Sequence, residues 1–356
     1  MPQSFKYIEQ LSKILKKAAQ GGSLKIGFLG GSITQGCSPT LPENAYVERV
    51  TKWFKEKFPT TKIERINAGV GATGSLIGVH RVGRDIIKHN PDIVFVEFAA
   101  NDVTPKKDTN VSYESLIRKL VTKLPESAMV EIFMTLQSGE SAEEEETKIA
   151  EHYQIPSVSY RQEIFKNIEA GLYKWEDIET DEVHPNDRGH GIIADLIAEL
   201  MEYALEKEVD YQTDYQVPKE TVFGAPYLEG NLVEFKDLHI VEEKGFEATE
   251  ETFRTINTGY ASVKGAQKVS LTCEVEGKNV FLLYVKGIEE ERATIGIKVN
   301  GEKVDTLDTF FKNGWGNYPE TYPLFKSDTK QKVTIQIEML EPEKGKKLNL
   351  LGILVS

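Results

Sequence analysis

Four short segments carry side chains whose types and spacing could perform acyl transfer. The first, GFLGGSITQG at residues 27–36, places Ser32 behind two glycines at the end of an apolar run. Two roles are open to that serine. Its hydroxyl caps a tight turn into a helix, or it is a nucleophile at the carboxyl end of a strand, where ligands bind in open α/β sheets. A phosphate cradle is a poorer use of the turn, because the Lys-Ser/Thr of a P-loop is absent and the glycine spacing differs from the dinucleotide fingerprint. The second segment, DEVHPNDRGH at 181–190, holds Asp181 and His184 three positions apart. An aspartate so placed can fix an imidazole in one tautomer while the other ring nitrogen removes a proton from a hydroxyl. As a metal site, Asp181, His184 and Asp187 lack the further histidines or cysteines such a centre draws on, and H-E-x-x-H is absent. Asn186 or Asp187 reads as the cap of the helix that follows, a role compatible with catalysis nearby.

The third segment is FAAND at 98–102, in which Asn101 either donates its amide N–H to a developing oxyanion or closes an Asx-turn. In the fourth, NAGVGATGS at 67–75, the glycines let the backbone N–H groups of Gly71 and Ala72 come close to a ligand. Each segment is weak taken singly. Three of the four follow expected strands, which brings them to one edge of one sheet.

The elements that must position these residues are legible in the periodicity. From residue 24 to about 206 short apolar runs alternate with amphipathic ones, the pattern of a parallel sheet covered by helices. LKIGFLG (24–30), KIERINA (62–68), DIVFVEF (92–98), AMVEIFM (128–134) and PSVSY (156–160) read as strands. Between them NAYVERVTKWFKEKF aligns Val47, Val50, Phe54 and Phe58 on one helical face and Pro59 stops it. Further helices are expected near 75–89, 112–123, 161–171 and 187–206. The acidic run GESAEEEETK at 139–148 reads as a solvated helix start without functional weight.

The segment EVDYQTDYQVPKETVFGAP lacks a helical repeat, so the chain divides into residues 1–207, a linker at 208–226 and a second domain at 227–356. Period-two patterns dominate that domain: KVSLTCEVEG, NVFLLYVKG, TIGIKVNGEKVDTL, KVTIQIEML and LNLLGILVS. Asn300-Gly301 signals a hairpin with a type I′ turn. An antiparallel β-sandwich, jelly-roll-like, is expected. Its segment TFFKNGWGNYPETYP (309–323) gathers Phe311, Trp315, Tyr318 and Tyr322 beside Asn317. Trp315, Tyr318 and Asn317 are candidate sugar-binding residues, since aromatic planes stack on the apolar faces of sugar rings. Phe310 or Phe311 is expected to pack inward, and Trp315, between two glycines, to stay exposed.

Composition narrows the function classes. A balance of 40% hydrophobic and 28% charged residues is that of a globular protein. With a net charge of −13 and no large basic cluster, nucleic acid is excluded as the expected partner. The N-terminal stretch has Phe5, Ile8, Leu11 and Leu15 at helical spacing broken by lysines, not a signal peptide, and no run is long enough for a membrane span. A cytoplasmic location is the expectation, with no membrane partner. Cys37 and Cys273 lie far apart and read as free thiols.

The ordered series GGSIT, NAGVGATG, AAND and DEVH resembles the SGNH, or GDSL-type, serine hydrolases, over roughly residues 20–206. The resemblance implies a three-layer α/β/α sandwich with Ser32, Asp181 and His184 as the catalytic triad. It also implies an oxyanion hole from the N–H of Ser32, a backbone N–H of Gly71 or Ala72, and Asn101. Ala99 stands where the family's third block usually begins with glycine. No metal or organic cofactor is implied. A hydrolase domain followed by a β-sandwich looks like the carbohydrate acetylesterases that carry a carbohydrate-binding module of the family-35 sort. Their substrates are acetylated mannan or mannooligosaccharides, the favoured reading here, or xylan. A lipid or thioester hydrolase of the same fold, an acetyl transferase and a carbohydrate-binding protein with an inactive hydrolase domain are the alternatives. A homo-oligomer is left open.

Overall fold

The computed structural model describes residues 6–103, 109–207, 216–249 and 253–356. Phe5 of the expected N-terminal helix and residues 208–215 of the expected linker lie outside them. The chain forms two units, Met1–Leu228 and Glu229–Ser356.

The first unit runs α1 (Lys6–Ala18), β1 (Gly22–Gly30), α2 (Ser32–Gln35), α3 (Tyr46–Lys57), β2 (Thr61–Gly69), α4 (Ser75–Asp85), β3 (Ile93–Glu97), α5 (Thr109–Lys123), β4 (Ala128–Phe133), α6 (Glu143–His152), β5 (Ser157–Ser159), α7 (Tyr160–Glu169) and α8 (Asp187–Glu206). The five strands pair in parallel in the order β2-β1-β3-β4-β5. Successive strand residues point to opposite faces. Phe28, Phe95, Val130 and Ile132 therefore pack with α1, α3, α7 and α8. Leu29, Val94, Val96 and Met129 pack with α4, α5 and α6. This is the expected α/β/α sandwich. Its strand order reverses between β1 and β3, and a crevice opens at the carboxyl ends of strands where such a reversal occurs. Ser32 and Asn101 follow those two strands.

Two local expectations change. Glu143 and Glu146 of the acidic run are buried, because the first turn of α6 packs inward and only part of the run faces solvent. The second half of the expected linker is bound to α5 of its own unit. The Glu114 carboxylate, itself buried, accepts the N–H groups of Val222, Phe223 and Gly224 at 2.5–2.9 Å, and Arg118 donates to the carbonyls of Pro218, Lys219 and Glu220. Val217 and Tyr227 pack on the adjoining core. A strap held through a buried carboxylate leaves no periodic trace in its own sequence.

The second unit is antiparallel: β6 (Asn231–Val233), β7 (His239–Lys244), β8 (Phe246–Ala248), β9 (Tyr260–Ser262), β10 (Ser270–Lys286), β11 (Thr294–Val299), β12 (Glu302–Asp308), β13 (Tyr318–Met339) and β14 (Asn349–Val355). Long β10 and β13 pair along their length, with register shifts at Gly277/Asn279 and Val280/Phe281. One end of β10 pairs with β7 and the other with β14, so the two layers are two ends of one continuous nine-stranded sheet. Leu271, Cys273, Ile335 and Ile337 from one end share a core with Leu282, Tyr284, Leu350 and Ile353 from the other. The two apolar runs KVSLTCEVEG and NVFLLYVKG are thus a single strand interrupted by a bulge, a device that bends a sheet without ending it. Asn300 (φ 53) and Gly301 (φ 85) make the β11–β12 hairpin turn with the positive angles that a type I′ turn requires. Among the described residues no helix is long and apolar enough to cross a membrane.

Candidate active site

Ser32 opens the one-turn helix α2 directly after β1. The glycines before it are demanded by close neighbours. A Cβ on Gly30 would overlap the Thr34 hydroxyl, and one on Gly31 would overlap Asn101 Oδ1. Gly36 (φ 98) ends the turn in the left-handed region, its N–H bonded to the carbonyls of Ser32 and Ile33. Beneath the turn, Tyr46 OH lies 2.8 Å from Thr34 Oγ1, which donates to Glu97 Oε2 at 2.9 Å. The fully buried Arg81 reaches the carbonyls of Ala68 and Gly30, at 2.6 and 3.0 Å, and ties the ends of β2 and β1 together.

The loop before α8 supplies the partner of Ser32. Asp181 Oδ1 accepts the N–H groups of Val183 and His184, both at 2.8 Å, and the Asp181 carbonyl accepts Trp175 Nε1 at 2.8 Å. Thr180 donates both its N–H and its hydroxyl to the His184 carbonyl. The imidazole, held this way, lies with Nδ1 at 2.8 Å from Asp181 Oδ2 and Nε2 at 2.9 Å from Ser32 Oγ. Burial alone would raise the Asp181 carboxyl. The hydrogen bonds from His184 and the loop amides outweigh it and hold the group below the usual carboxylate range. An ionised Asp181 can only accept, so Nδ1 carries the proton and Nε2 is free to accept the Ser32 hydroxyl. Asn186 is the cap of α8, accepting the N–H groups of Arg188 and Gly189 at 2.9 and 3.2 Å. Asp187 turns instead to Thr40 and Asn44. Among the described residues no group of three or more His, Cys, Asp or Glu side chains is arranged to hold a metal ion.

The second and third segments arrive from β2 and β3. A Cβ on Gly71 would stand 3.8 Å from Ser32 Cβ, and Asn101 lies against Gly31, so both border the serine. Ala99 does not have a positive φ, and its loop tolerates the side chain that replaces glycine. Ala72 does have one, at 58°.

Several groups around this site have no signal in the sequence. Asn67 bridges the Thr34 carbonyl and the Gly69 N–H, and Gln35 accepts the Gly71 N–H at 2.7 Å. His190 accepts the Tyr46 N–H at Nδ1 and donates from Nε2 to the Cys37 carbonyl, and burial lowers it to about 4, so it stays neutral. Behind the sheet edge sits a set of buried carboxyls. Burial raises Glu97 to about 7, against the hydrogen bonds it accepts, and Glu131 to about 8. Glu146 is raised well above the ordinary value by burial and by Asp102, Glu131, Glu97 and Glu143.

Residues 28–192 match the model of the GDSL-like lipase/acylhydrolase family. That match lies within the N-terminal unit. The whole chain is similar to a two-domain esterase (CEX) active on acetylated mannans, at 28% identity and a TM-score of 0.88 over 99% of each chain. A second structure of that esterase, co-crystallized with mannopentaose, gives a TM-score of 0.87 over 99% of this chain and 98% of the other, again at 28% identity. No curated protein matches by sequence. With a GDSL-type unit and a two-domain esterase as its full-length likeness, the protein is a carboxylic ester hydrolase.

The three residues expected to bind sugar lie outside the GDSL-type unit, on the segment between β12 and β13 and at the start of β13. Trp315 is 69% exposed and stacks on Tyr318, with ring centroids 5.2 Å apart, while Phe311 meets both edge-on. Phe310 and Phe311 are both half-buried, and it is Tyr322 that packs against the core. Asn317 is engaged within the unit: Oδ1 accepts the Ile288 N–H and Nδ2 donates to Glu289, which also binds Arg292. Trp315 and Tyr318 present ring surface, whereas Asn317 anchors the segment that carries them.

Proposed function

We propose that the protein is a serine esterase that removes O-acetyl groups from mannan-type oligosaccharides through an acyl-enzyme on Ser32. The observation that carries this reading is the unbroken series Asp181–His184–Ser32, with heavy-atom distances of 2.8 and 2.9 Å, an arrangement in which a neutral imidazole protonated at Nδ1 serves as general base. The Ser32 oxygen bonds to the acetyl carbonyl carbon while its proton passes to His184 Nε2. The carbonyl electron pair moves to oxygen, which the N–H groups of Ser32 and of the Gly71–Ala72 turn and the Asn101 amide stabilise. Collapse breaks the bond to the sugar oxygen, which leaves with the proton from His184. Water then attacks the acetyl-serine with His184 again as base, releasing acetate and restoring the hydroxyl. The scheme calls on no metal or organic cofactor. Mannan is favoured over xylan and lipid by the full-length likeness to an acetylmannan esterase and by the exposed Trp315 ring stacked on the half-buried Tyr318, which suits a sugar face.

The test is acetate release from acetylated mannan and acetylated xylan, and acid release from a medium-chain lipid ester, by the protein and its Ser32→Ala variant. The expected result is release from mannan ahead of the other two, abolished in the variant. Equal release by both proteins would remove Ser32 from the mechanism, and preference for the lipid ester would sink the carbohydrate assignment.

A further inference from the structure

The reading of Ser32 as nucleophile leaves two neighbouring amides, those of Gly71 and Ala72, as the second backbone donor to the oxyanion, and the hydrogen bonding distinguishes them. The Gly71 N–H is already donated to the Gln35 side-chain carbonyl at 2.7 Å. Among the described residues nothing accepts the N–H of Ala72 or of Ser32. Gln35 is the last residue of α2, three positions beyond Ser32 and so one turn along the same helix. The turn it holds needs holding, because Ala72 sits at φ 58, a left-handed backbone conformation that a Cβ disfavours. Its flanks are fixed as well. The Val70 N–H donates to the Gly30 carbonyl, the Thr73 hydroxyl to the Val70 carbonyl, and Gly69 packs so closely on the Thr34–Gln35 backbone that a Cβ would overlap it.

We infer that Gln35 is a positioning residue of the oxyanion site: by accepting the Gly71 N–H it removes that donor from the ester and holds the strained turn so that the Ala72 N–H faces the developing charge beside that of Ser32. This rests on the serine-esterase reading above. Gln35 does not touch the reacting atoms. Its effect is exerted through a donor that matters only when negative charge forms on the carbonyl oxygen, so the loss belongs in kcat and not in KM.

The experiment compares the full chain with Gln35→Ala, Gln35→Met and Ser32→Ala, using para-nitrophenyl acetate for turnover and phenylboronic acid as a tetrahedral analogue. Thermal unfolding of each variant is the control. In Gln35→Ala, kcat is expected to fall about 10- to 100-fold, with KM within about twofold and boronate affinity weakened by a factor similar to that of kcat/KM. Gln35→Met keeps the length and packing of the side chain but offers no strong acceptor for the Gly71 N–H. It is expected to stay close to the parent melting temperature and to lose kcat as the alanine variant does, and it decides the matter if the alanine variant fails to fold. Parent-like kcat and boronate affinity in a folded Gln35→Ala, or parent-like kcat in Gln35→Met, overturns the inference. So does a rise in KM alone, which would make Gln35 a substrate contact. An inactive Ser32→Ala alongside a fully active Gln35→Ala defeats this inference only, whereas an active Ser32→Ala defeats the reading beneath it.

Discussion

Around Ser32 and on the segment of Phe311, Trp315 and Tyr318, the same chain handles functional side chains in opposite ways. At Ser32 nearly every neighbour is fixed by a dedicated partner. Asp181 accepts two loop amides and the imidazole, Thr180 and Trp175 hold the backbone of that loop, and Arg81 clamps the two strand ends. On the aromatic segment, Asn317 with Glu289 and Arg292 anchors the chain, while the Trp315 ring is left mostly in solvent. Proton transfer tolerates little displacement, because a misplacement of about 1 Å can cost on the order of a hundredfold in rate. Stacking on a sugar face is forgiving of small shifts and needs apolar area instead. The first region is built for position and the second for surface.

That contrast predicts effects of different size and kind. The largest is expected for Asp181→Asn, which preserves shape but no longer fixes the imidazole tautomer. Its kcat should fall by about a thousand- to ten-thousandfold on any acetyl ester, with KM little changed, in steady-state assays. A drop below tenfold would mean that the loop backbone, held by Thr180 at the His184 carbonyl, orients His184 without the carboxylate. Trp315→Ala is expected to raise KM for acetylated mannooligosaccharides by roughly tenfold, the magnitude of one lost stacking contact, and to leave turnover of para-nitrophenyl acetate unchanged. Equal loss on both esters would place Trp315 in the folding of its unit and not in recognition.

The smallest effect is on stability, from the buried carboxyls behind the Ser32 sheet edge. Glu131, raised by burial to about 8, prefers its neutral form in the folded protein and ionises near the ordinary value when unfolded. Its contribution is therefore fully present on the acid side and is lost as pH rises from about 4.5 through about 8. Glu131→Gln, which stays neutral, should melt increasingly above the parent across that window, by on the order of 5 °C at its alkaline end. A melting difference that does not vary with pH would show that Glu131 ionises in the folded protein as it does in the unfolded chain, and so is not isolated from water.

Much of this was legible before any coordinates. The strands ending at Gly30, Gly69 and Glu97 follow from apolar runs, α8 from its periodicity and an Asn186 cap, and the Asn300-Gly301 hairpin from turn chemistry. The candidates Ser32, Asn101, Asp181 and His184 stood out because glycine-flanked serines and D-x-x-H pairs are local patterns. The bulged continuity of β10, the first half of β13 and the short strands β6 to β9 were not legible, since pairing partners rather than local pattern define them. Nor was the inward turn of Glu143 and Glu146, because a run of glutamates looks solvated whichever of its members face the core.

By itself, then, the sequence determined which elements form, in what order, and which residue types stand at the carboxyl ends of the strands, because periodicity and turn chemistry act over a few residues. Only the tertiary structure decided how those residues are coupled. It brought Ser32 to His184 across 152 positions, closed the Gly71 N–H on Gln35 across 36, and gathered Glu97, Asp102, Glu131 and Glu146 in one buried setting. A hydrogen bond between distant positions depends on where two strand ends and a loop meet in space, and no local spacing records that meeting.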